Sequence, residues 1–220
     1  MNAPKLDKRL RAVVDNICGE ALADIGCDHG KVTVCALLEN KVKNAIACDI
    51  SQKSLDKAVA LAKAYNLVNI DFRQGDGLTQ IEDGEADCAV IAGMGGREII
   101  SILSYMPQGI RRFVLVAHKN TIELRSYLSS KNLYIDKDFI VEQSGKFYDI
   151  IVATLDSGKS CDLSEKQLYL GKNSYDNADY VRFIDLLRQK RERLKDFEDK
   201  SNEAKMLTRI FAIIDEEQSN

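Results

Sequence analysis

The chain has 220 residues, of which 45% are hydrophobic and 30% charged. That balance excludes a wholly disordered chain, and at about 150 residues per domain the length suits one large core with a smaller appendage. With 31 basic against 34 acidic residues the net charge is −3, which excludes a uniformly basic, histone-like protein but not local basic patches.

Apolar residues at Leu6, Leu10, Val13, Val14 and Ile17 have helical spacing and predict a first helix over 6–17. An apolar strand, Ala21 to Ile25, ends in Gly26. A helix over 32–38, a buried strand over 44–50 and a helix over 52–65 follow, the last with Ser51 as its N-cap. Short strands are expected at 69–73, 86–92 and 113–117, with helices running to Leu103 and over 121–129. Residues 134–142 and 148–155 flank Ser144-Gly145-Lys146 and predict an antiparallel hairpin. Short apolar strands alternating with helices predict an α/β fold: a mostly parallel sheet covered on both faces, with the hairpin as its antiparallel edge.

The apolar pattern lapses at 157–162, which places a domain boundary there: 1–158 and 159–220. Beyond Ala178 one stripe comprises Tyr180, Phe183, Ile184, Leu187, Leu194 and Phe197, and a second Leu207, Ile210, Phe211 and Ile214. With 198–203 breaking the pattern between them, they predict a helical hairpin of coiled-coil type. The six cysteines form no CxxC pair and mostly lie in apolar runs, as reduced core residues do. The two histidines, His29 and His118, lack ligand-spaced neighbours, so no metal is expected. No targeting or membrane-length apolar run is present, which predicts a soluble, cytoplasmic protein without membrane contact; a monomer is expected.

In a parallel sheet ligands bind beyond the carboxyl ends of the strands. After the first strand comes Asp24-Ile25-Gly26-Cys27-Asp28-His29-Gly30. Asp28 occupies the second glycine position of a dinucleotide fingerprint and would repel a pyrophosphate, which disfavours a nicotinamide enzyme, yet it tolerates a cation or zwitterion. About twenty residues on, Asp49 can accept both hydroxyls of a ribose; it equally suits a capping role ahead of Ser51. Asp76, in Gln74-Gly75-Asp76-Gly77, suits an adenine amino group or an ordinary turn. Gly93-Met94-Gly95-Gly96 allows a flat base or cofactor close to the backbone, or forms a tight turn with Met94 in the core. His118-Lys119-Asn120 ends the fifth strand, and Lys119 suits a phosphate or open solvent. Gly158-Lys159-Ser160 only imitates a phosphate loop, because the first glycine of that motif is replaced by Ala153.

Together, Asp24-x-Gly26 with Asp28, Asp49 and Gly75-Asp76 resemble the S-adenosylmethionine site of class I methyltransferases. Ala23 to Gly30 (ADIGCDHG), Ala92 to Gly96 (AGMGG) and Leu6 to Leu10 (LDKRL) resemble more narrowly the bacterial tRNA (adenine(22)-N(1))-methyltransferases. The likeness covers the α/β part, and the C-terminal hairpin is similar to that family's coiled-coil extension. The sequence departs at His118-Lys119-Asn120, where the family has Gln-Pro-Asn and only Asn120 carries over, at Gly30-Lys31, where it has Ala-Tyr, and at Leu170-Gly171-Lys172, where it has Leu-Gly-Pro.

The resemblance implies a Rossmann-like class I methyltransferase sheet, S-adenosyl-L-methionine as cofactor, tRNA as partner, and methylation of an adenine N1. It places Asp24, Gly26, Asp28, Asp49, Ile50, Asp76, Gly77, Gly93 and Met94 at the cofactor. It makes Asp28, His29 and Asn120 the catalytic candidates, and Arg9, Gly95, Gly96 and Lys119 the substrate contacts. Lys5, Lys8, Arg9 and Arg11, with Lys119 and the basic residues of the hairpin, are expected to form a path for RNA. A methyltransferase acting on a small molecule or another RNA, and a non-catalytic RNA-binding adaptor, are the rival readings.

Overall fold

The computed structural model describes residues 3–155, 158–173, 176–195 and 201–218. In chain order the elements are α1 (Lys8–Asp15), β1 (Ala21–Ile25), α2 (Lys31–Leu38), β2 (Asn44–Asp49), α3 (Gln52–Ala64), β3 (Ile70–Gln74), a 3-10 turn (Gly77–Gln80), β4 (Cys88–Met94), α4 (Gly96–Leu103), β5 (Arg112–Ala117), α5 (Thr121–Ser130), β6 (Leu133–Gln143), β7 (Lys146–Leu155), α6 (Glu165–Leu170), α7 (Ala178–Leu194) and α8 (Asn202–Gln218).

Seven strands form one sheet in the order β3-β2-β1-β4-β5-β7-β6. The pairs among β1 to β5 are parallel, and β7 runs antiparallel to both β5 and β6. Sequence order reverses between β1 and β4, so the carboxyl ends of β1 and β4 border the crevice that such sheets use for ligands.

The strands alternate between two cores because successive side chains point to opposite faces. On β5, Phe113, Leu115 and Ala117 join α4 and α5 on one face, while Val114 and Val116 meet α1 and α2 on the other. Both faces are covered, which explains the unbroken apolar run of this strand. The helices start where their caps predict: Ser51 accepts from Ser54 N, and Asp7 accepts from Leu10 N. The first helix therefore begins at Lys8, later than its apolar spacing alone suggests.

The sequence pattern missed α6, a single short helix closed by a Ser164/Gln167 capping box, because six residues show too little periodicity. It helps join the C-terminal helices to the sheet. Leu170, Tyr180, Ile184, Leu207, Ile210, Phe211 and Ile214 form one apolar cluster with Ile140 of β6, and Phe147 of β7 packs against it. The two stripes do pack together as a helical pair, and they share a core with the strand hairpin. Phe197 and residues 198–200 of the expected break at 198–203 lie outside the described residues; Asn202 and Glu203 already belong to α8. Cys27, Cys35, Cys48 and Cys88 are buried free thiols, whereas Cys18 is exposed. Among the described residues no helix is long and apolar enough to cross a membrane.

Candidate active site

A cavity of about 840 Å³ opens over the carboxyl ends of β3, β2, β1 and β4. All nine predicted cofactor residues line it: Asp24, Gly26, Asp28, Asp49, Ile50, Asp76, Gly77, Gly93 and Met94.

At the end of β1 the chain turns sharply. Gly26 N and Cys27 N both donate to the carbonyl of Cys48, at 2.8 and 3.0 Å, which draws the loop across the end of β2. Gly26 has φ +71°, and a Cβ there would lie 2.6 Å from Cε of Met94. The side chain of Met94 thus packs over the glycine, where no Cβ would fit. Asp24 is buried just beneath, on the α2 side, where Thr33 Oγ1 donates to it at 2.6 Å. Burial pushes the Asp24 carboxyl up to about 6, although the Thr33 hydroxyl opposes the shift.

Asp49 is held by two backbone donors: Asp28 N reaches Oδ2 at 3.0 Å and Ser51 N reaches Oδ1 at 2.9 Å. Each carboxylate oxygen retains a lone pair for a further donor. Ser51, not Asp49, is the helix cap. Asp76 precedes the 3-10 turn without making a side-chain cap bond to it, so its carboxylate is left for another partner. Between the two acids Ile50 is 72% exposed although it lines the cavity. An exposed large aliphatic side chain beside two hydrogen-bond acceptors suits the face of a flat ring.

His29 and Asp28 stand together at the rim, with Nε2 3.5 Å from Asp28 Oδ1 and 2.9 Å from Nζ of Lys57 on α3. They belong to the β1–β2 side of the cavity. Asn120 does not join them. It caps α5 in a left-handed conformation, its amide donates to Glu123 Oε1, and it lies outside the cavity lining. Lys119, Gly95 and Gly96 also lie outside it. Gly96 serves packing: its N–H donates to Lys119 O at 2.8 Å, and a Cβ would fall 2.2 Å from the carbonyl oxygen of Asn120. His118 is exposed at the end of β5.

Three charged lining residues, Asp7, Lys31 and Glu98, escaped the sequence pattern. Glu98, the third residue of α4, accepts from Gly95 N at 2.6 Å; the spacing Gly95-x-x-Glu98 is half of a capping box and was the available signal. Asp7 enters from the other side as the cap of α1, and Lys31 stands at the rim. Cys27 also lines the cavity, and burial raises its thiol.

The expected basic strip on the first helix is divided. Lys8 pairs with Asp179 of α7 at 2.5 Å, and Arg11 pairs with Glu39 beyond α2 at 2.6 Å. Arg9 turns into the cavity and lies over the ring of Tyr148.

Comparison with known proteins agrees with this geometry. Residues 6–151 match the family model described as a methyltransferase domain. A tRNA (adenine(22)-N(1))-methyltransferase of Bacillus subtilis is 37% identical over 158 residues, which are 70% of this chain and 66% of the relative. The matched segment thus spans just under two thirds of that relative's length. The structure of Mycoplasma capricolum TrmK with S-adenosyl-homocysteine superimposes with a TM-score of 0.83 at 25% identity, covering 96% of each chain. A Streptococcus pneumoniae structure with S-adenosyl-L-methionine gives 0.82 at 25% identity, over 94% of this chain and 99% of the other. The structural likeness therefore includes the C-terminal helices.

Proposed function

Since the chain belongs to the methyltransferase-domain family, we propose that it transfers a methyl group from S-adenosyl-L-methionine to N1 of an adenine in tRNA, at position 22. The observation that carries this reading is the row of groups along the strand ends. Asp76 follows β3, Asp49 ends β2 with the exposed Ile50 beside it, and Asp24-x-Gly26 ends β1, all on one cavity. These residues fit an adenosine with an amino-acid tail. The tRNA and the position rest on the relatives: the Bacillus subtilis protein bears that activity in its name.

When bound, the cofactor supplies a methyl group on positively charged sulfur. Asp76 would accept from the adenine amino group and Asp49 from the ribose hydroxyls, while Ile50 covers the ring. Attack by an N1 lone pair needs alignment and exclusion of water more than covalent help from the protein. The N1 edge is occupied in paired RNA, so the target base must be exposed or flipped to arrive. The transfer moves positive charge onto that base, which favours a carboxylate nearby; Glu98, at the start of α4, is placed to supply it. Asp28 and His29 are the rim groups available to take a proton leaving N6. Residues 1–158 would hold the cofactor and 159–220 would present RNA-binding surface.

The test is methyl transfer from labelled S-adenosylmethionine to unmodified bulk tRNA, followed by nucleoside analysis. Labelled 1-methyladenosine is expected, mapping to position 22. Labelling of a small molecule, or of no RNA at all, overturns the tRNA assignment.

A further inference from the structure

Side chains close the outer edge of the sheet. β6 is the last strand of the order, so the N–H and C=O groups on its free side meet no further strand. Alternate residues turn these groups outward. Three of them, at Ile140 and Glu142, are met by side chains leading into the first turn of α7. Ile140 N donates to Asn173 Oδ1 at 2.8 Å, Asn177 Nδ2 donates to the Ile140 carbonyl at 3.0 Å, and Glu142 N donates to Asp179 Oδ2 at 2.9 Å.

Asp179 reaches further than the two asparagines. Its buried carboxylate also accepts from Lys8 Nζ at 2.5 Å and from Nη2 of Arg182. Burial pulls this carboxyl upward, yet Lys8, the Glu142 N–H and Arg182 together hold it below the ordinary value, so it is an anion at neutral pH. The helix start does not need that charge. Asn177 already caps α7, accepting from Asp179 N and Tyr180 N. An acid facing water in the first turn would serve the helix dipole equally well. Lys8 stands between Asp7 and Arg9, which both line the cavity, and its own N–H donates to Gln143 Oε1 at 3.0 Å. One carboxylate therefore joins the base of α7, the edge of β6 and the part of α1 that walls the cavity.

We propose that Asp179 is a positioning residue for methyl transfer: through Lys8 it sets the offset between the C-terminal helices and the cavity, and so decides which adenine of an RNA held along those helices reaches the reacting position. The inference rests on the RNA methyl-transfer reading. α7 has 17 residues. At 1.5 Å per residue it is a lever of about 25 Å, and a tilt of about 3° at its base moves its far end by about 1 Å. Misplacement by about 1 Å can cost on the order of 100-fold in rate. A buried charge pair at the base of the lever is where such a tilt is resisted.

The test is steady-state methyl transfer to unmodified tRNA with mapping of the product, for the whole chain as wild type, Asp179→Asn, Lys8→Met and the double variant. Titration with S-adenosylhomocysteine, filter binding of tRNA and melting temperatures accompany it. Asp179→Asn keeps the side-chain size and an acceptor for Glu142 N–H but lacks the charge that holds Lys8. Its kcat is expected to fall about 10- to 100-fold, with a larger share of methyl at adenines other than the wild-type one. Cofactor affinity should be unchanged, and tRNA affinity equal or tighter, because an anion is removed. Lys8→Met should lower kcat alike, and the double variant no further than either. Unchanged kcat and product position in Asp179→Asn overturn the proposal. So do parallel losses of cofactor binding, tRNA binding and melting temperature, which show a role in folding alone. Weaker tRNA binding at unchanged kcat in Lys8→Met also overturns it and makes Lys8 a phosphate contact. Wild-type protein that methylates no RNA refutes the RNA reading itself, a failure seen before any variant is compared.

Discussion

The hydroxyl of Thr33 donates a 2.6 Å hydrogen bond to the buried carboxylate of Asp24, tying the first turn of α2 to the end of β1 under the cavity floor. Burial holds the Asp24 carboxyl at about 6, against 3.8 for the free group. Between about pH 4 and 6 the native state therefore binds more protons than the unfolded chain, and stability from this group falls as pH rises. A shift of about two units corresponds to on the order of 3 kcal/mol. Urea denaturation across pH 4 to 8 should show that loss in the wild type and its absence in Asp24→Asn, which should be the more stable protein at pH 7. The same variant should bind S-adenosylhomocysteine more weakly.

Arg125 is buried with two carboxylates. Its Nε and Nη2 donate to Asp138 at 2.7 and 3.0 Å, and Nη2 also reaches Asp149. Burial raises the Asp149 carboxyl while Arg125 opposes that shift. Arg125→Met should destabilise the protein by about 3–5 kcal/mol, because it leaves two buried acids without a counter-charge. Chemical denaturation measures it, and the loss should shrink when Asp138→Leu is added.

Gly96 permits the backbones that follow β4 and β5 to touch. The Cβ of Gly96→Ala would meet carbonyl oxygen of Asn120 at 2.2 Å, and backbone cannot rotate away as a side-chain tip can. A lower melting temperature, equivalent to about 1–3 kcal/mol, is expected together with reduced methyl transfer, since Glu98 on the same helix turn is displaced.

Arg188, Lys190 and Arg193 are exposed on α7, and Lys195 follows its last turn. If the C-terminal helices contact RNA, Arg193→Glu should raise the KM for tRNA and flatten its salt dependence, with S-adenosylhomocysteine affinity unchanged. Filter binding at two salt concentrations, beside a cofactor titration, reads both.

The cavity lining beyond β1, β2, β3 and β4 was readable in the chain because these residues lie at or just past the carboxyl ends of strands, and in a parallel sheet all such positions come to one edge. The β1, β2 and β3 loops needed only local spacing: Asp24-x-Gly26, an acid about twenty residues on, and Gly75-Asp76. The remaining candidates, which do not all reach the cavity, were less readable. Asn120 and Gly96 follow strands equally well, yet one caps a helix and the other packs against it. Glu98 and Asp7 were hidden because capping residues look alike whether or not a cavity lies beside them.

Alternating hydrophobicity and turn residues by themselves determined the seven strands, the helices between them, the α/β class, the antiparallel hairpin and the two long C-terminal helices, though not the short α6, since each depends on neighbours within a few positions. What only the tertiary structure decided is which partner each charge meets. Lys8, Arg9 and Arg11 sit on one helix turn, yet they face Asp179, the cavity and Glu39 respectively. Adjacent residues on a helix point about 100° apart. Those directions acquire meaning only when α7, the end of β4 and the end of α2 are packed around them.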